Sequence, residues 1–324
     1  MTKLMEQKHK WQSIAKTLRK TGILWALLLL VVILSNASSS FLTTKNFLNI
    51  FKQASITSIL AFGMTFVLLT GGIDLSVGSV TALASVFAAY VGVEERGYPL
   101  IACFAVALLV GLICGTINGV GIAYVGLPPF IMTLGMMNIA RGAAKVFTGG
   151  VPIFGLTREF ANVASGKFMD VPNLVYYMVA IFIVSWIVLK STVYGRRIYA
   201  IGGNQDAARL SGIDVKTHTM SVYMICGLLA GLCGMLMASR ITSGNATTAD
   251  AYEMDAIAAA VIGGVSMTGG SGDISGTLVG AFILIIIQNG FDILGISPFY
   301  KQIVQGAIIV LAVLLDIKSR LKNK

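Results

Sequence analysis

The sequence predicts an all-α polytopic membrane protein with about ten transmembrane helices per subunit. Three observations carry this expectation. Of 324 residues, 56% are hydrophobic and 12% charged. Mean hydropathy is +0.83. Apolar runs of about 18 residues or more, the length at which a helix crosses the hydrocarbon core, recur along the chain. A net charge of +10 would suggest nucleic acid in a soluble domain. Here most Lys and Arg lie in three clusters beside apolar runs, where they set topology, so no nucleic acid partner is expected.

In chain order, residues 1–21 form a basic N-terminus with six Lys or Arg before the first apolar run. This resembles the charged start of a signal peptide, but SNASSS at 35–40 is a weak cleavage pattern and more spans follow, so the first helix is expected to be retained. The transmembrane domain, 22–317, is expected to hold spans at 22–40, 54–70, 74–93, 98–125, 127–148, 173–190, 220–240, 253–271, 274–296 and 300–317. A basic tail, 318–324, follows.

Orientation comes from positive charge near the span ends. Six basic residues precede the first span, five lie between 190 and 216 and four follow Asp316, so fifteen share one side. The other side has five: Lys45, Lys52, Arg96, Arg158 and Lys167. Both termini and the polar stretch 191–219 are therefore expected in the cytosol. Between Thr148 and Asn173 a longer outer loop with Pro152 and Pro172 could meet something arriving from outside.

The chain holds 36 glycines. In LICGTINGVG (112–121) and CGLLAGLCG (226–234) small residues at i and i+4 let helices approach closely, because lipid supplies no hydrophobic drive and packing must hold the bundle. Two other stretches, TGGIDLSVGS (70–79) and GGVSMTGGSGDISG (263–276), are better placed to break helices. Each reads Thr-Gly-Gly, then an Asp, an aliphatic residue and Ser. Internal repetition and chance in a Gly/Ser-rich chain both remain open explanations.

Asp74 stands out, because a charge deep in a bilayer costs on the order of 2.5–3.5 kcal/mol. It could cap a helix beginning at Leu75, with Ser76 assisting, or lie on a solute pathway. Asn118, Thr133, Asn138, Gln288 and Asn289 fall inside spans. They suit a hydroxylated neutral solute and equally suit bonds between helices. Cys103, Cys114, Cys226 and Cys233 sit in apolar segments without a CxxC pair, and the histidines are His9 and His218, so no metal site or disulfide framework is expected.

In the polar stretch, Asn204 can cap a short helix, Asp206 favours its positive end, and Gly212 can act as its left-handed stop. Two turns are marginal in water, so this helix needs packing against its own chain, a partner, or both. Ala207 and Ala208 offer a small, flat face, while Arg196, Arg197 and Arg209 supply charge. The alternative is an ordinary positive-inside loop.

The stretch GRRIYAIGGNQDAARLSGIDV (195–215) resembles the cytoplasmic coupling loop of membrane permeases in bacterial ABC importers for sugars, of the ribose/xylose/arabinose type. The resemblance continues through GMTFVLLTGGIDLSVGSV (63–80), PPFIMTLGMMNIARGAA (128–144), YEMDAIAAAVIGGVSMTGGSGDISGTLVGA (252–281) and NGFDILGISPFYKQIVQGAIIVLAVLLD (289–316). Together these cover most of the chain from about residue 41 onward, in order. One departure is Ser271-Gly272-Asp273, where relatives often carry basic residues.

The resemblance implies the ABC importer permease fold, a second copy of the chain forming one pathway, and a periplasmic or lipid-tethered sugar-binding protein. It also implies a cytosolic ABC ATPase that holds ATP and Mg, and a bacterial inner-membrane location. Gly203, Asn204, Asp206, Ala207, Ala208, Arg209 and Gly212 would lie on the ATPase-facing loop. No G-x-x-x-x-G-K-[ST] motif occurs in these residues, so this chain is expected to bind no cofactor and to hydrolyse nothing itself. Alternating access, with specificity mainly in the binding protein, is the expected mechanism. The rival is a secondary transporter or channel with ion-coupling charges at mid-membrane, for which Asp255 and Asp292 are the residues to watch. Another variant keeps the importer but carries a hexose, sugar alcohol or signalling furanose.

Overall fold

The computed structural model describes residues 23–297 together with 299, 300, 302–307, 310, 311 and 314. The expected basic segments 1–21 and 318–324, and part of the expected span 300–317, lie outside the described residues. The chain begins with α1 (Ile23–Ala37) and α2 (Thr44–Leu69), where the Thr43 hydroxyl accepts from the Asn46 N–H. Next come α3 (Val77–Gly92) and α4 (Leu100–Val120), which runs on as a π turn to Val125. Pro129 sits at the first turn of α5 (Pro129–Thr148), where its missing N–H costs nothing. After it come α6 (Arg158–Ser165), α7 (Asn173–Ser191), α8 (Val193–Gly203) and α9 (Gln205–Leu210). The last three are α10 (Val215–Ile241), α11 (Tyr252–Ile262) and α12 (Ile274–Ile293), followed by helical residues at 302–307.

Five described helices are long and apolar enough to cross a membrane: α2, α4 with its π turn, α7, α10 and α12. The expected span 253–271 ends as a helix at Ile262. At about 1.5 Å per residue, α11 covers roughly half of a bilayer core. The cause is local: Gly264, Gly269, Gly270 and Gly272 all adopt positive φ, a backbone conformation that ends a helix. The all-α expectation needs one small correction. Lys167–Phe168 (β1) pairs antiparallel with Val171–Pro172 (β2) in the connection before α7.

The core forms around α10, which packs against α2, α3 and α4. Glycines set how close α4 and α10 come. A Cβ at Gly111 would overlap the Gly227 carbonyl, one at Gly115 the Tyr223 carbonyl, and one at Gly231 the Ala107 carbonyl. The expected packing role of these small residues therefore holds, with backbone against backbone replacing a hydrophobic drive. The outward sides of α4 and α7 are apolar: Ile101, Leu109 and Ile113 on one, Val179, Ile183 and Ile187 on the other are exposed. This is the surface that hydrocarbon can solvate.

Candidate functional site

The connection between α7 and α10 is shorter than the 191–219 loop expected from sequence, because α10 already begins at Val215. Its two helices are built from local chemistry. The Thr192 hydroxyl accepts from the Gly195 N–H and starts α8. The Asn204 side-chain oxygen accepts from the Ala207 N–H at 2.9 Å and starts α9. Gly212, with φ +81°, supplies the left-handed stop. Asp206 and Arg209 approach to 3.6 Å on the α9 surface, an exposed pair worth little in water.

The face of α9 differs from the flat alanine pair expected from sequence. Ala207 is exposed, but Ala208 is buried against Ile201 and Val215 with Ile213 beside it. Facing outward instead is Leu210, 90% exposed, beside Ala207 and Ser211 at i−3 and i+1. Leu210 escaped the sequence reading because one leucine carries no signal in an apolar chain.

Beneath α9, the end of α8 is fused to the helical body. A Cβ at Gly202 would overlap the Leu69 carbonyl oxygen and the Gly270 nitrogen. A Cβ at Gly270 would lie 2.7 Å from the Gly203 nitrogen, and one at Gly269 would lie 2.9 Å from both the Gly202 Cα and the Gly71 nitrogen. The Gly270 N–H donates to the Leu69 carbonyl at 2.9 Å, and the Tyr199 hydroxyl donates to the Gly272 carbonyl at 2.9 Å. The two Thr-Gly-Gly stretches, 198 positions apart in sequence (Thr70 to Thr268), thus meet each other and the end of α8 at one joint made of backbone. Only glycine permits this approach. The Tyr199 phenol is pushed above its ordinary value, first by burial and then by the Asp273 carboxylate, so it stays a neutral donor.

The residues expected inside spans form separate networks. The Asp74 carboxylate accepts from the Ser76 N–H at 2.8 Å and from the Ser76 hydroxyl at 2.6 Å, while the Asn118 amide donates to the Ser76 oxygen at 2.9 Å. Asp74 therefore closes the turn before α3, which starts at Val77 and not at Leu75. The Gln288 amide donates to the Asp255 carboxylate at 3.0 Å, as does the Gln305 amide at 2.6 Å. Asn289 and Asn46 exchange two bonds, at 2.8 and 3.0 Å. The Thr133 hydroxyl donates to the Pro129 carbonyl of its own helix. Asn138 also bonds back within α5, to the Leu134 carbonyl, but is exposed. Asp292 is exposed at the end of α12. The structure does not bring the seven residues to one point.

One interior feature was missed entirely. The Arg141 guanidinium on α5 donates to the Ala246 and Thr248 carbonyls, both at 2.8 Å, and lies 3.9 Å from Asp250. It pins α5 to the segment joining α10 and α11. Among the described residues no group of three or more His, Cys, Asp or Glu is arranged to hold a metal ion.

A family model described as "Branched-chain amino acid transport system / permease component" matches residues 46–313. The chain is 44% identical over 300 residues to the ribose import permease protein of Escherichia coli (strain K12), covering 91% of this chain and 92% of that one. It is 42% identical over 304 residues to the ribose import permease protein of Bacillus subtilis (strain 168), covering 93% and 94%. To the D-allose transport system permease protein of Escherichia coli (strain K12) it is 36% identical over 301 residues, covering 92% and 91%. No solved structure matches the chain.

Proposed function

The chain belongs to the family described as the permease component of branched-chain amino acid transport systems, and from that membership we propose that it is the transmembrane permease subunit of an ATP-driven sugar importer, with ribose as its solute. The observation that carries this reading is the identity of 42–44% to two ribose import permeases over nine-tenths of the chain, against 36% to the D-allose protein. The chain is a transport subunit and not an enzyme. ATP and Mg act on a separate cytosolic ATPase.

The finer assignments belong to the same proposal. About ten spans cross the bacterial inner membrane with both termini in the cytosol, two copies enclose the path, and a sugar-binding protein delivers solute from outside. The charge count supports the orientation. Leu210 and Ala207 offer the ATPase a bare contact on α9, with Gly203, Asn204, Asp206, Arg209 and Gly212 shaping it and Ala208 anchoring it from below. Movement of α9 would pass through the glycine joint into the breaks between α2 and α3 and between α11 and α12. Alternating access follows if those breaks tilt their helices. Among the seven candidate pathway residues, Asn138 lies on an exposed face of α5, where Gly135 and Gly142 have open space beside them. A sugar passing between two copies would meet this small, weakly polar strip. Asp74, Ser76, Asn118, Gln288 and Asn289 instead tie neighbouring segments together, and Thr133 bonds back within its own helix.

Reconstitution tests the proposal. Vesicles holding this chain, its ATPase and its sugar-binding protein should accumulate labelled ribose only with Mg-ATP inside the ATPase compartment. Uptake driven by a proton or sodium gradient in vesicles holding this chain alone would overturn it in favour of a secondary transporter.

A further inference from the structure

Two cavities of about 440 Å³ each lie side by side along the first two turns of α2. One is lined by Lys45, Asn49 and Lys52 of α2, by Lys167 of β1, and by Ser40 and Thr43 of the α1–α2 turn. The other is lined by Leu42, Phe47, Phe51, Val171, Pro172 and Val175. Helical spacing explains the division. Lys45, Leu48, Asn49 and Lys52 fall at i, i+3, i+4 and i+7 on one face, and Thr44, Phe47, Leu48 and Phe51 repeat that spacing on the adjacent face. Leu48 lines both cavities. The β hairpin spans them too, since Lys167 pairs with Pro172 across the ladder yet each lines a different cavity.

The basic cavity has no carboxylate among the described residues that line it. Among the described residues, the Arg141–Asp250 and Arg209–Asp206 ion pairs do not involve its lysines. Three lysines thus line one cavity together with amide and hydroxyl side chains at the end of an apolar helix, directly beside an apolar cleft. A soluble anion would use the first cavity and leave the cleft wet, while a hydrocarbon chain alone would ignore the lysines. We propose that this paired cavity binds a diacyl anionic phospholipid, its phosphate among Lys45, Lys52 and Lys167 and one acyl chain against Phe47, Phe51 and Val175. The charge complementarity commits the occupant to an anionic head, and the adjoining cleft commits it to a lipid. The inference needs a membrane-spanning chain and is independent of the sugar carried.

The test is native mass spectrometry of the whole chain, extracted in mild detergent and titrated with phosphatidylglycerol, phosphatidylcholine or glycerol phosphate. The wild type should retain phosphatidylglycerol well above phosphatidylcholine and should not retain glycerol phosphate. K45Q/K52Q/K167Q should lose affinity for phosphatidylglycerol by about fivefold per lysine. L42S/F47S should weaken both diacyl lipids. R158Q, a charge loss at exposed Arg158 outside the cavity, should change nothing, and size-exclusion elution checks that every variant stays folded. Equal retention of the two diacyl lipids, equal retention by the triple variant, or retention of glycerol phosphate as strong as that of the lipid would overturn the proposal. So would a triple variant that keeps its lipid but no longer responds to the sugar-binding protein, because the lysines would then serve protein docking.

Discussion

The two short helices between α7 and α10 differ in what they touch. The end of α8 is held on one side: Gly202 and Gly203 lie backbone to backbone against the end of α2 and the 264–272 turn, and Tyr199 is tied to Gly272. In α9, Ala208 alone is buried, and Leu210 is 90% exposed. One helix is fixed to the membrane domain by backbone contacts, and the other presents a bare apolar side chain. The proposed transmission of work from a separate ATPase requires a rigid inner contact with a bare outer one, whereas an ordinary positive-inside loop requires neither.

Breaking the inner contact should have the largest effect. Gly202→Val puts a branched side chain where a single Cβ already overlaps the Leu69 carbonyl, at a cost of about 3 kcal/mol. The expected result is a sharp fall in monodisperse protein after detergent extraction, with no effect of comparable size from Gly203→Ala, since Gly203 has open space at its own Cβ position. Asn204→Ala should remove the α9 cap at about 1 kcal/mol. That change should raise hydrogen exchange at Ala207 and leave the thermal midpoint of the helical body in place. Tyr199→Phe deletes one hydrogen bond, worth about 1 kcal/mol or less. It should leave the fold and ATPase binding intact and lower sugar moved per ATP hydrolysed by a few-fold, a ratio measurable in proteoliposomes.

The smallest effect is a pH dependence at the loop's exit. The Thr217 hydroxyl, and after it the Thr217 N–H, hold the Asp214 carboxyl below its ordinary value. A depressed folded value means the cap stabilises the start of α10 above the unfolded carboxylate range and is lost as pH falls through the folded value. Exchange at the Thr217 amide should therefore rise on acidification below about pH 4, and Asp214→Asn should remove that dependence.

What was legible in the sequence was local. Asn204, Asp206 and Gly212 mark a short helix because capping and a left-handed stop depend on residues within a turn of each other, and the structure places that helix at Gln205–Leu210. The α4 and α10 glycines were legible for the same reason, since their spacing alone marks a packing face. Distant contacts were not. The orientation of the alanine pair depends on Ile201 and Val215, so Ala208 turned inward against expectation. The similarity of the two Thr-Gly-Gly stretches was visible, but their meeting at Gly202 needs three separate chain segments to converge. Asn289 reads as a free polar residue until Asn46, 243 positions away, is brought beside it. Span lengths also misled at 253–271, where the expected span took in the glycine-rich stretch after Ile262 and four positive-φ glycines between 264 and 272 end the helix early.

The most direct test of the two-sided loop is co-purification of the ATPase with a Leu210→Glu chain. Leu210 contributes nothing to its own fold at 90% exposure, so the variant should extract, elute and melt like the wild type. Its retention of ATPase should fall by about tenfold or more, as expected for an apolar anchor at an interface, and ribose uptake should fall with it. Wild-type ATPase retention and uptake by a folded Leu210→Glu chain would contradict the account.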